Sequence, residues 1–448
     1  MKKILLLHDD NFNLNKIKYV MDFIFELPFC KERTTIKYKL ISSDFDVENF
    51  DILMNYSDKH VPNAKINIIK SSSIFSVNSF QDILKFHSNQ YIKNKSIYYG
   101  VSKNKNEPKN LFEGNKMNMD IISTIFFHIS RIEEFYCPNE KKDYHNRMVS
   151  ENYFLVRNNL EKIPVVDKIC VEFLKFLNLY ERIKTKKIMT HDIDVLVKYP
   201  SLYKYFRGLA RILFKRNLFS GNAFNYTYHY LKVLLGSKDP FKTFSWLLND
   251  NFFDKKLIFF MSGGKTEYDN FYNINNPILN KIFLRVKNFN YEIGLHPSYV
   301  SSLDRDQMKK EKKILEEVTS SKIMSSRQHI LRFDFKKTPK ILEKSGIRND
   351  YTFGYYDRIG FRCGTGFSFK LWNHIENDKY QILETPLVIM DGCLLIESNY
   401  NVKDSIKKHK NFMKENMFDT QISYNFHNSV FDPVLLDSEF FKNFYLNL

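Results

Sequence analysis

From Lys187 to the C-terminus the chain repeats one pattern: a short apolar run of strand length stops at polar or ionisable residues, and segments with helical spacing separate many of the runs. The runs are Lys187 to Thr190, Lys256 to Met261, Tyr291 to Leu295, Lys322 to Ser326, Leu387 to Met390 and Gln421 to Phe426. Helical patterns fall at Ile278 to Lys287 and Gln307 to Thr319. Repeated strand-then-helix units over about 260 residues predict an α/β fold built as a (β/α) barrel, in which active residues sit where strands end.

The N-terminal part also reads as α/β. Short apolar strands (Lys3 to Leu7, Ile36 to Ile41, Ile66 to Ile69) alternate with a helical pattern at Ile17 to Phe25. A polar stretch from Ser102 to Lys116 reads as a loop or hinge, and Met119 to Tyr136 and Val165 to Leu179 as helices. The expected organisation is therefore a smaller α/β N-terminal domain over 1–100, a helical connecting region over 101–185, and the barrel over 186–448. At 448 residues, two or three cores are expected.

The first residues are apolar only from Ile4 to Leu7, too short for the core of a signal peptide, and no stretch approaches the roughly 20 apolar residues of a membrane-spanning helix. The expected location is the cytoplasm, with peripheral contact at a membrane as the variant. Five cysteines without CxxC spacing argue against a disulfide framework or a structural zinc site. The net charge of +17 suits nucleic acid, an anionic glycan or an anionic membrane surface, and does not choose among them. Nucleic acid is set aside because no reader motif accompanies the charge. Much of the basic excess lies in an insertion, Leu196 to Asp250, between the first two strand-like runs. A surface helical pair with solvated lysines is favoured there over a glycan-binding or membrane-surface element, and the insertion is expected to overhang the mouth of the barrel.

Four strand ends carry candidate chemistry. In Thr190-His191-Asp192-Ile193-Asp194 two carboxylates at i and i+2 on extended chain point the same way and can converge on a metal or a water, although a single Asp there more often caps the next helix. Tyr291-Glu292-Ile293-Gly294-Leu295-His296-Pro297-Ser298-Tyr299 ends a strand at a proline with His296 fixed before it, and a lone histidine is more often structural than a ligand. Ser326-Arg327-Gln328-His329 puts Arg327 and His329 on one face of extended chain. In the last run Ser423, Asn425 and His427 share a polar face.

Taken in order, an Asp-x-Asp strand end, a Gly-x-His-Pro strand end, an Arg-bearing strand end and a final strand with a His resemble the motifs of the NodB-homology polysaccharide deacetylases, carbohydrate esterase family 4. The phrases Gly346 to Tyr355 and Ile359 to Thr365, and upstream Ile122 to Glu134 with Pro164 to Asp167, are similar to a bacterial subgroup with an accessory region before the deacetylase domain. The resemblance covers about residues 115 to 440 and implies a distorted (β/α) barrel of that type. It implies metal-assisted deacylation of a cell-envelope or exported polysaccharide, or of its lipid-linked precursor, with an acetylated glycan or lipid-linked sugar as partner. Carried over motif by motif, Asp192 is the general base, Asp194 and His296 are metal ligands, Arg327 orients the base and His427 is the general acid. Arg362 and Tyr299 stand where substrate contacts are implied, and zinc is the metal best suited to Asp and His ligands.

One position departs from the pattern. Four residues after His296, where the family supplies a second histidine, stands Val300. Either His329 or a residue of another strand completes the site, or metal binding is weak or lost. His329, two residues beyond Arg327, is the expected replacement. The alternative is a deacetylase-like glycan-binding protein without catalysis.

Overall fold

The computed structural model describes residues 1–42, 48–70, 73–88, 91–93, 96–98, 111–214, 220–249, 253–269 and 272–448. The chain divides into two compact units. One comprises Met1–Thr185, Phe361–Pro386 and Asn416–Gln421, the other Lys186–Gly360, Leu387–Glu415 and Ile422–Leu448.

The first unit is built on a sheet in the order Thr34–Leu40, Lys2–His8, Ile52–Tyr56, Ile66–Ile68, Lys116–Met117, Phe112–Glu113, parallel except for the last pair. Lys2–His8 is buried from Ile4 onward because it has a parallel neighbour on each side. The helix Leu14–Glu26 turns Ile17, Val20, Met21 and Ile24 inward at three- and four-residue spacing, and all four are fully buried. Helix Ile121–Ile129 is apolar nearly all round and buried throughout, and Asp120 caps it by accepting the Ser123 N–H at 2.9 Å. Of the loop expected from Ser102 to Lys116, residues 102–110 lie outside the described residues, and Phe112–Glu113 pairs antiparallel with Lys116–Met117. Residues 361–386 join this unit through long-range backbone bonds: Phe361 N–H reaches the Glu161 carbonyl at 2.7 Å, and Val166 N–H the Gly364 carbonyl at 2.8 Å.

Asp167 lies wholly inside this unit, its Oδ2 accepting from the Thr420 hydroxyl at 2.6 Å and from Gly366 N–H at 3.3 Å. Burial outweighs these hydrogen bonds and pushes its pKa up to about 7. An acid whose pKa is raised by folding binds a proton as the chain folds, so this contribution is fully present below about pH 4 and is lost as the pH rises to about 7. Asp167→Asn is therefore expected to gain on wild type by on the order of 3 kcal/mol between pH 4 and pH 8. Urea melts of both proteins at the two pH values test this, and a difference independent of pH would contradict it.

The second unit carries seven strands in the order Asn349–Asp350, Ser325–Ser326, Glu292–Leu295, Lys255–Phe260, Lys186–Ile193, Gln421–Asn425, Ile389–Met390. Every pair with a defined register here is parallel, and helices such as Pro277–Asn288 and Arg305–Thr319 connect successive strands. The fold is thus mixed α/β with a predominantly parallel sheet. Among the described residues no ladder joins Asn349–Asp350 to Ile389–Met390. Irregular backbone beyond the two strands does meet: Leu387 N–H donates to the Phe353 carbonyl at 3.1 Å.

The strands observed match the expected runs to within a few residues except Lys322 to Ser326 and Leu387 to Met390, which shorten to Ser325–Ser326 and Ile389–Met390. Among the described residues the insertion forms two long helices, Leu202–Phe214 and Ser220–Leu234, and a short one, Phe244–Leu247. No helix among the described residues is long and apolar enough to cross a membrane.

Candidate functional site

Asp192 lies inside the strand Lys186–Ile193, paired with Phe259, and five other side chains leave strands of the second unit just past the last paired residue. Asp194 follows Ile193, His296 follows Leu295, Arg327 follows Ser326, Asp391 follows Met390, and His427 stands just beyond Asn425. Parallel neighbours end on the same edge of a sheet, which brings these residues together. Two local features fix the approach. At Gly294 a Cβ would stand 2.4 Å from the Phe259 ring, so only glycine allows this close packing. His296 makes one further ladder-like bond, N–H to the Phe260 carbonyl at 2.9 Å, before Pro297 ends the pairing.

His329 arrives differently. The extended segment expected after Arg327 is a tight turn in which Ile330 and Leu331 adopt φ of 60° and 54°. This left-handed backbone is rare for any L residue and rarer for a β-branched one, with a cost of about 1–3 kcal/mol each. The Arg332 guanidinium holds the turn by donating to the Tyr299 carbonyl at 2.8 Å.

Three ligand-type atoms converge as a result. Asp194 Oδ1 lies 3.3 Å from His296 Nε2 and 3.9 Å from His329 Nδ1, and the two ring nitrogens are 3.0 Å apart. All three lie within 4.8 Å of one another. The remaining nitrogens fix the tautomers: His296 Nδ1–H donates to the Arg327 carbonyl at 2.7 Å, and His329 Nε2–H to the Tyr268 carbonyl at 2.8 Å. In their neutral forms both imidazoles therefore turn lone pairs toward a buried carboxylate oxygen that makes no hydrogen bond. Such a cluster of acceptors requires a cation or a proton. Its edges resemble those of a tetrahedron of zinc ligands, about 3.3 Å for bonds of 2.0–2.1 Å. The donor set fits a divalent metal.

Electrostatics agree with the geometry. Burial alone would raise the Asp194 pKa, but His296, His427 and His329 beside it hold the carboxyl well below the usual range. Burial lowers His296, and Asp192 and Asp194 more than offset this, so His296 shifts upward. His329 shifts downward through burial and the neighbouring His296.

Beside this cluster stand two oriented groups. Asp192 is buried, and its two oxygens accept from Arg327 Nη1 at 2.9 Å and Asn425 Nδ2 at 2.8 Å. Burial opposes its ionisation, and the Arg327 guanidinium overrides this to keep the pKa low. His427 Nδ1 pairs with Asp391 Oδ1 at 2.9 Å, while its Nε2 lies 3.9 Å from both Asp192 Oδ2 and Asp194 Oδ2. Burial would lower the His427 pKa, but Asp391, Asp194 and Asp192 push it up to about 10.

Six of the eight residues singled out in the sequence thus meet in one cluster: Asp192, Asp194, His296, Arg327, His329 and His427. Tyr299 lies next to it, its ring 4.5 Å from that of Tyr268, whose carbonyl holds His329. Arg362 requires correction as a substrate contact. It is buried within the first unit, where its guanidinium pairs with Glu134 and Glu134 is shared with Arg131. Ser423 is buried, and its hydroxyl accepts the Val388 N–H at 3.1 Å. Val300 is partly exposed and His329 occupies the third position of the cluster. Asp391 was missed, although its place directly after the run Leu387 to Met390 is the same signal that marked Asp192 and Asp194.

No curated protein matches the chain. Among solved structures, the chain is similar to a Mycobacterium smegmatis protein assigned to the polysaccharide deacetylases, at 15% identity and a TM-score of 0.32 over 59% of this chain and 84% of that one. It is also similar to a mutant of a CE4-family pseudoenzyme with restored enzymatic activity, at 10% identity and a TM-score of 0.26 over 60% of this chain and 65% of that one. Residues 5–181 match the model of a family of unknown function, DUF7033.

Proposed function

We propose that the chain is a metal-dependent deacetylase acting on an acetylated cell-envelope or exported polysaccharide, or on its lipid-linked precursor. The observation that carries this reading is the convergence of Asp194, His296 and His329 on one point, flanked by an acid held by arginine and a histidine held by an acid. The order of motifs along the sequence supports it independently. The same reading takes the second unit as a distorted (β/α) barrel whose remaining gap is spanned at Phe353 and Leu387.

Asp194, His296 and His329 would hold the ion, zinc being best suited to them. A metal there supplies an acidified water and polarises the acyl carbonyl. Asp192, kept ionised by Arg327 and oriented by Asn425, accepts the proton of the attacking water. His427, kept protonated by Asp391, turns its Nε2 toward the two aspartates and supplies the proton that the leaving amine or hydroxyl requires. Tyr299, next to the cluster, is the substrate contact in this reading.

Acetate release from a panel of N- and O-acetylated oligosaccharides by the purified protein tests the proposal. Release is expected with zinc, to stop with a chelator and to return when zinc is restored. A zinc-loaded protein that releases acetate from none of them would refute it, and one that binds a glycan without hydrolysis would establish the binding-only alternative.

A further inference from the structure

The helices Leu202–Phe214 and Ser220–Leu234 each pack part of their apolar surface inward and leave part of it exposed. The inner faces meet in a cluster of Tyr199, Tyr205, Tyr226, Tyr230 and Val434, with Leu209, Ile212 and Val233 packed against it. The outer faces are covered by nothing among the described residues. On the first helix Tyr203, Phe206 and Phe214 fall on one stripe by their spacing, and on the second Phe224, Tyr228, Leu231 and Leu235. Exposure reaches 86% at Phe214, 76% at Phe224 and 87% at Leu235. Scattered exposed hydrophobic residues are ordinary, whereas a continuous stripe on two paired helices marks a surface built to be covered.

Charge identifies the occupant. Residues 201–238 contain no Asp or Glu, while Lys204, Arg207, Arg211 and Lys232 are exposed along the same helices and none ion-pairs with an acid among the described residues. Lys204, Arg207 and Arg211 form their own stripe beside the apolar one on the first helix. A second copy of the chain, docked symmetrically on this face, would set these cations against their own kind with no acid to offset them. A bilayer with anionic headgroups satisfies both stripes at once, taking the aromatic and aliphatic side chains below the headgroups and the Lys and Arg among them.

The pair is also held firmly at its base. Lys198 Nζ bonds the Asp432 carboxylate at 2.6 Å, and Asp239 accepts the Lys198 and Tyr199 N–H groups at 2.9 and 3.0 Å. Lys198 follows closely on Asp194 and Asp432 on His427, so the pair rises from the same loops that carry the candidate site.

We propose that the outer face of this helical pair docks the protein on an anionic lipid bilayer, independently of whether the site is catalytic. The test is co-sedimentation of the full chain with phosphatidylcholine vesicles, with and without phosphatidylglycerol, at low and high salt. Wild type is expected to sediment with the anionic vesicles only and to be released by salt. Phe206→Ser/Phe214→Ser/Leu235→Ser, which changes exposed side chains and leaves the inner cluster intact, should reduce binding to the level seen with neutral vesicles. Arg207→Ser/Arg211→Ser should weaken it by roughly 25-fold, with circular dichroism verifying that both variants fold. The proposal is overturned if wild type ignores anionic vesicles, partitions equally onto neutral ones, or is matched by the triple variant. It is also overturned if ultracentrifugation shows a dimer that the triple variant converts to monomer.

Discussion

Zinc binding by Asp194→Ala is expected to fall by roughly 100-fold or more, because the substitution removes the only anionic ligand of the three and leaves two imidazoles facing each other. His296 and His329 keep their carbonyl partners, Arg327 and Tyr268, so the rings should remain in place and the loss should be one of affinity rather than of fold. Asp194 and both histidines attract protons as well as metal, so zinc must displace whatever proton the cluster holds and uptake should weaken toward acid pH. Equilibrium dialysis against zinc followed by metal analysis measures the effect. His329→Ala should behave like Asp194→Ala, and Val300→Ala like wild type. Undiminished zinc in Asp194→Ala would remove the basis of the proposed function.

The second large effect concerns stability. Arg327 is completely buried, donating from Nε to the Tyr351 carbonyl at 2.9 Å and from Nη1 to Thr190 Oγ1 at 2.8 Å and Asp192 Oδ1 at 2.9 Å, with its guanidinium over the Phe259 ring. Arg327→Ala strands the Asp192 carboxylate in the interior and leaves a cavity, so a loss of about 3–5 kcal/mol is expected. For a unit of this size that lowers the melting temperature by on the order of 10 °C. Arg327→Ala/Asp192→Ala should cost less than the sum of the two single substitutions, because the stranded charge is gone. Thermal and urea unfolding of the four proteins measure this, and an Arg327→Ala protein within about 1 kcal/mol of wild type would contradict it.

The strand ends were legible in the sequence, and for a physical reason. A buried parallel strand must be apolar along its length, so the first ionisable residue after it marks both its end and the rim of the sheet. Asp194, His296, Arg327 and His427 stand out in this way, with Asp192 two residues before Asp194 inside the strand, and parallel pairing then places them on one edge without further information. The α/β character of both units is visible on the same grounds, from apolar runs alternating with helical spacing.

Other features were set by contacts between residues far apart in sequence, which local pattern does not encode. His329 reaches the cluster through a left-handed turn at Ile330 and Leu331, a backbone that neither residue prefers and that the surrounding structure imposes. Asp391 becomes the partner of His427 only because Ile389–Met390 pairs with Gln421–Asn425. Arg362 stands where the resemblance implies a substrate contact, yet its charge is buried against Glu134, more than two hundred residues earlier in the chain. The same holds for residues 361–386, whose assignment to the first unit rests on Glu161 and Val166. The sequence alone determined where apolar runs end and where helices fall, because strand burial and helical spacing are local periodicities. Only the tertiary structure decided which of those residues meet, because an ion pair or a ligand cluster gains its energy from partners that chain distance does not reveal.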